Sequence, residues 1–95
     1  MGKAHRHDDL RNCSATTVVQ NQSTVFANGK LIAVKDSINS HGNGQLINSG
    51  STVTINGLPV IIQNDNAKPD NLCPKPGGNH CNPVAIGHSD NVFCY

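Results

Sequence analysis

Ninety-five residues with a net charge of +1, seven basic against six acidic and no run of either sign, describe one domain spanning 1–95. That balance gives no electrostatic footprint for nucleic acid or an anionic membrane. Only 36% of residues are hydrophobic, with two Phe, one Tyr and no Trp, so the core is thin and calls for a metal, disulfides or a partner subunit.

The chain opens Met-Gly-Lys-Ala-His-Arg-His, without the apolar segment of a signal peptide. Its longest apolar run, Leu58 to Ile62, is five residues with a Pro, too short to cross a bilayer. A reducing cytosol is therefore the expected place of synthesis, where paired cysteines favour metal over disulfide. His5 and His7 alternate with Arg6 and read as exposed residues of a first strand. There is no Glu, and 13 residues are Asn, which argues for tight turns rather than long helices.

Thr17 to Gln20 and Thr24 to Ala27 are short β-branched runs. Asn28-Gly29 then supplies the two positive-φ residues of a type I′ turn, and Leu31 to Val34 returns as a strand. Gln45 to Asn48, Thr52 to Ile55, Asn56-Gly57 and Pro59 to Gln63 repeat the pattern. The core of the repeat, Ser23-Thr24-Val25-Phe26-Ala27-Asn28-Gly29, matches Ser51-Thr52-Val53-Thr54-Ile55-Asn56-Gly57 at an offset of 28 residues. A third, shorter copy is Ser89-Asp90-Asn91-Val92-Phe93-Cys94. The expected fold is all-β, three short meanders around a common pseudo-threefold axis. The strands after the two Asn-Gly pairs carry more apolar surface than a thin core needs, so part of it is expected to form an exposed base.

The repeat also puts candidate metal ligands in register. Cys13, His41 and His80 each lie 12 residues before a repeat valine, Val25, Val53 and Val92 respectively. A lone Cys is often a small buried hydrophobe and a loop His is often solvated, but three in one register point to a shared site. Cys73 is the candidate fourth ligand, with Cys81 and His88 as substitutes, and Cys94 reads as a core residue. Thiolate and imidazole together suit Zn2+ in a closed tetrahedral shell, with iron as the alternative.

Gly50-Ser51-Thr52-Val53-Thr54-Ile55-Asn56-Gly57-Leu58-Pro59, with Asp9 followed by Cys13 and Asp36 followed by His41-Gly42, resembles the repeat unit of the PAAR family across the whole chain. The Pro-Ala-Ala-Arg stretch stands here as Leu31-Ile32-Ala33-Val34 and Pro59-Val60-Ile61-Ile62. The resemblance implies a sharp cone with a metal near its vertex, seated on a homotrimeric β-helical spike, one chain per trimer. It also implies a non-catalytic, membrane-piercing role, with transient contact with the target membrane. The setting would be the central spike tip of a contractile phage tail baseplate in the virion, or a spike tip secreted by a type VI system.

Three rivals are weaker. A zinc hydrolase needs an open coordination position and a base, and with no Glu that base falls to an Asp or a His. A zinc module that recognises protein or nucleic acid would show Cys-x₂₋₄-Cys pairs, whereas Cys73 and Cys81 are eight apart. A disulfide-stapled secreted domain lacks its signal peptide.

Overall fold

Asn28-Gly29 and Asn56-Gly57 take φ of 54° and 81°, and 55° and 82°, the left-handed pairs that a type I′ turn requires. The structure, a computed structural model, describes residues 2–12, 15–40, 42–47, 52–71, 73, 81–89 and 91–94. In it these turns close the two expected hairpins. Strand β3 (Phe26–Ala27) pairs with β4 (Lys30–Leu31), and β6 (Thr54–Ile55) pairs with β7 (Leu58–Pro59). A third pair joins the two ends of the chain, β1 (Gly2–Lys3) against β8 (Phe93–Cys94). Residues 2–3 therefore stand to 93–94 as 30–31 stand to 26–27.

The same equivalence continues along the chain. The carbonyls of Val25, Val53 and Val92 accept from the N–H groups of Ile32, Val60 and Ala4 at 3.0, 2.9 and 2.9 Å. Behind each hairpin the three returning segments, 4–6, 32–34 and 60–62, pair with one another. Bridges join Ala4 to Ile62, Ile32 to Arg6 and Val60 to Val34. At the middle of these segments, His5 N–H donates to Ile61 O at 3.0 Å, Ile61 N–H to Ala33 O at 2.9 Å, and Ala33 N–H to His5 O at 2.9 Å. Three residues spaced 28 apart thus close a cycle of backbone hydrogen bonds, and all three are wholly buried.

Side chains on these segments alternate faces, as strand geometry dictates. Ala4, Ile32, Val34 and Val60 build one apolar cluster with Ala27, joined by Ile55, Leu58, Ile62 and Val92. Ala33 and Ile61 point the other way, into a second cluster with Leu46, Ala67 and Ala85. Of the apolar runs after the Asn-Gly turns, Ile32, Ala33, Val34, Val60 and Ile61 are core, while Leu31, Leu58, Pro59 and Ile62 are half-buried. Exposed apolar side chains lie at Val25, Phe26, Val53 and Phe93, beside the Asn-Gly turns and the paired chain ends, and also at Leu10, Ile47 and Ile86.

After the cycle each segment turns. Asp9, Ser37 and Asp65 N–H groups donate to Arg6, Val34 and Ile62 carbonyls, each at 3.1 Å. The third residue of each turn, Asp8, Asp36 and Asn64, has φ of 68°, 73° and 75°. Short Asp and Asn side chains tolerate that conformation better than most. The chain then enters three loops, 10–16, 38–45 and 66–84. Their far ends rejoin equivalent points, where Thr17, Leu46 and Ala85 donate to the carbonyls of Asp9, Ser37 and Asp65 at 3.1, 3.0 and 3.1 Å.

The fold is all-β, with eight two-residue strands and no α-helix among the described residues. It departs from simple meanders at the runs that enter the units, of which Gln45 to Ile47 bonds to Asn66 and Lys68. Strand β2 (Thr17–Val18) pairs with β5 (Ile38–Asn39) rather than with β3. Between β2 and β3 the buried Gln22 amide takes the place of a ladder. Its Nε2 donates to Ile32 O at 2.7 Å and Val25 O at 3.0 Å, and its Oε1 accepts from Thr24 and Val25 N–H.

Deleting buried volume beside the cycle should cost far more than deleting it at the surface. Ile61→Ala is expected to lose about 2–5 kcal/mol in urea unfolding, and Ile86→Ala, at an exposed position, within about 0.5 kcal/mol. Equal losses would mean that the core does not lie on this cycle.

Candidate functional site

The three loops, 10–16, 38–45 and 66–84, are the stretches of sequence that contain Cys13, His41, Cys73 and His80. Cys13, His41 and His80 lie outside the described residues. Their described surroundings touch one another pairwise. Asn12 N–H donates to Val84 O at 3.0 Å, linking the first loop to the third. Ser40 N–H donates to Thr16 O at 2.9 Å, linking the second to the first. Asn71 N–H donates to Gly42 O at 3.1 Å, and Asn43 bridges Asp70, linking the third to the second.

Cys73 is half-buried and forms a disulfide with Cys81, with Cα atoms 4.8 Å apart. Its N–H donates to Asp70 O at 3.2 Å. A disulfide sulfur is not the thiolate that zinc prefers, so in this state Cys73 does not fit the role expected of it. His88, the other substitute, is half-buried with Nδ1 2.9 Å from Ser89 O. Cys94 lies in β8, and its side chain is outside the described residues. Among the described residues no group of three His, Cys, Asp or Glu side chains is arranged to hold a metal.

Beneath the loops lies a polar network that sequence reasoning missed. His5 is fully buried, not exposed. It occupies the position that Ala33 and Ile61 hold in the other two segments, so its ring is carried inward with theirs. Nδ1 lies 2.7 Å from Gly87 O and Nε2 lies 2.6 Å from Thr17 Oγ1. A carbonyl only accepts, so Nδ1 carries the proton. In the neutral ring Nε2 then accepts from the Thr17 hydroxyl, whose oxygen in turn accepts from Arg11 Nε at 2.8 Å. Arg11 is itself buried and donates onward to the carbonyls of Gly44 and Ser37.

The network ties all three loops to the cycle. Arg11 belongs to the first loop and Gly44 to the second. Gly44 has φ +66°, and a Cβ there would come within 2.9 Å of Asn39 Cβ and 3.1 Å of Asp70 Cβ. Asp70, buried in the third loop, accepts from Asn39 Nδ2 at 3.1 Å. A second charged group flanks the cycle. Asp9 takes Arg6 in a two-pronged pair at 2.9 and 3.0 Å, and Arg6 also reaches His88 O at 2.9 Å. His7 is half-buried, with Nδ1 accepting from Val19 N–H at 3.1 Å.

Burial pushes the His5 imidazolium down to about 4, with neighbouring Arg11 and Arg6 adding to the depression and the Gly87 hydrogen bond and Asp9 opposing it. The folded value lies below the unfolded one, so between pH 6.5 and 4 the unfolded chain binds the extra proton. Stability from neutral His5 is therefore complete above about pH 6.5 and is lost as pH falls toward 4.

Over that window the wild type should lose about 3 kcal/mol that a His5→Leu variant does not lose. Urea unfolding of both proteins between pH 4 and 7.5 reads the difference, and parallel curves would remove His5 from the core. At pH 7.5, His5→Ala should also be costlier than His7→Ala, although both looked equally exposed in the sequence.

No family model, curated protein or solved structure matches this chain.

Proposed function

We propose that the chain is a non-catalytic structural tip that caps a homotrimeric β-helical spike of a contractile phage tail or a related secretion machine. The observation that carries this reading is the closed cycle His5–Ile61–Ala33, with its equivalent bridges and hairpins at 28-residue spacing. Units related in this way lie about a pseudo-threefold axis. One chain can then offer three similar faces to three identical chains. The principal extents of 33 × 23 × 22 Å, one long and two nearly equal, suit a body built along such an axis.

The two ends have different tasks. At the hairpin end, Val25 and Phe26, Val53 and Thr54, and Val92 and Phe93 occupy equivalent positions, and Val25, Phe26, Val53 and Phe93 are exposed. Exposed aromatic and branched side chains beside short, open hairpin edges are the kind of surface a partner covers. At the loop end the body must stay folded under load on a small apolar cluster, Ala33, Leu46, Ile61, Ala67 and Ala85. The buried Arg11–Thr17–His5 network serves there, and a metal held by Cys13, His41 and His80, with Cys73 when it is a free thiolate, completes the vertex. A structural zinc contributes roughly 10–16 kcal/mol of apparent binding free energy in small zinc peptides, well above what surface side chains offer.

The test is reconstitution with a trimeric spike encoded beside this chain. Native mass measurement should give one copy per trimer, over an interface of upwards of ~1,000 Å². Phe26→Asp and Phe93→Asp should abolish capture while leaving the unfolding free energy of the free chain, read in urea, within about 0.5 kcal/mol. Three copies per trimer, or no complex with any such spike, would refute the capping role.

A further inference from the structure

We infer that Asn56 is a site of spontaneous covalent modification, where the side-chain amide is lost through a succinimide formed with the Gly57 nitrogen. The inference stands on the chain's own chemistry and does not depend on the capping role.

The sequence holds three Asn-Gly pairs, Asn28-Gly29, Asn43-Gly44 and Asn56-Gly57. A glycine after asparagine leaves the backbone nitrogen unshielded by any Cβ, so all three have the reactive chemistry. Their asparagines also share one backbone state, with φ of 54°, 53° and 55°. What separates them is what holds each amide and each glycine N–H.

Gly44 is buried, and its N–H donates to Pro69 O at 3.2 Å. Asn43 Nδ2 is held by Asn71 Oδ1. That pair is blocked at both the nucleophile and the amide. Gly29 and Gly57 are exposed, with open space where a Cβ would stand. Neither N–H has a partner among the described residues. Asn28, however, is clamped at both ends of its amide, since Nδ2 donates to Asn91 Oδ1 at 2.9 Å and Oδ1 accepts from Ser89 Oγ. Asn56 is exposed and held only by a bond of 3.2 Å from Nδ2 to Asn21 O. Its amide is therefore the one that can turn toward a free glycine nitrogen.

The reaction needs water and nothing else. The Gly57 nitrogen attacks Asn56 Cγ, the N–Cγ bond forms, the Cγ–Nδ2 bond breaks, and ammonia leaves with the Gly57 amide proton. Water then opens the ring. Attack at Cγ gives aspartate, and attack at the main-chain carbonyl carbon gives isoaspartate. Either product carries a carboxylate, which accepts and does not donate. The bond to Asn21 O is then lost, and with it that link from the second hairpin to the run that enters the first.

The experiment incubates the full chain at pH 7.5 and 37 °C and takes timed samples. Peptic digestion in acid halts the reaction, and fragmentation mass spectrometry locates each amide-to-acid conversion. Each site's native rate is divided by its rate in the guanidinium-unfolded chain, which removes the influence of neighbouring sequence. The ratio at Asn56 should exceed those at Asn28 and Asn43 by roughly tenfold, because hydrogen bonds that must break first add to the barrier. Asn91→Ala, which frees Asn28 Nδ2 at an exposed position, should raise the Asn28 ratio severalfold and leave Asn56 unchanged. Circular dichroism checks that this variant is folded. Equal ratios at the three sites, or Asn28 or Asn43 ahead, would overturn the inference. So would a native Asn56 that stays intact while the unfolded chain reacts at all three. An Asn28 ratio unmoved by Asn91→Ala would overturn the amide clamp as the reason for the ranking.

Discussion

Everything else in this small fold hangs on three backbone hydrogen bonds among His5, Ala33 and Ile61. Each bond joins residues far apart in sequence, and together they close the first, middle and later parts of the chain on one another. Such closure is costly in chain entropy, and a protein with so few large apolar residues has little to offset it. It is made tolerable because the donors and acceptors are satisfied in a dry centre, with one apolar cluster on either side. Two-residue strands would be marginal alone. Here each is held by the neighbour to which the cycle delivers it.

The cycle also explains why a charged and an ionisable side chain lie in the core. Position 5 must face inward because positions 33 and 61 do, and the sequence places a histidine there. A buried imidazole needs partners for both nitrogens. Gly87 O and Thr17 supply them, and Thr17 in turn is fixed by Arg11. Close approach is part of the design, since a Cβ on Gly87 would sit 2.7 Å from Leu10 N. The polar layer therefore does under the loops what a larger apolar core does in bigger domains, at the expense of sensitivity to acid.

How much of this was legible in the sequence follows from where the signals are local. The Asn-Gly turns and the strands beside them were readable because a type I′ turn is specified by two adjacent residues. The all-β class followed from the same turns and the missing helix formers. The returning segment at the N-terminus was not readable from local pattern, because Ala4-His5-Arg6 lacks the apolar character of Ile32-Ala33-Val34 and Val60-Ile61-Ile62. Extending the 28-residue offset backwards would have aligned them and marked His5 as buried. The pairing of Cys73 with Cys81 depends on the path of one long loop, which spacing alone does not fix.

The proposed capping role requires the cycle to be the most stable part of the molecule, because units that face a trimer together must be locked to one another. Native-state amide hydrogen exchange reads this directly. The amides of His5, Ala33 and Ile61 should exchange only through global unfolding, with one shared opening free energy equal to that from urea unfolding, as core amides do. A His5 amide that exchanges through a cheaper local opening, while Ala33 and Ile61 stay protected, would show that the N-terminal segment is an attachment and not a member of the cycle.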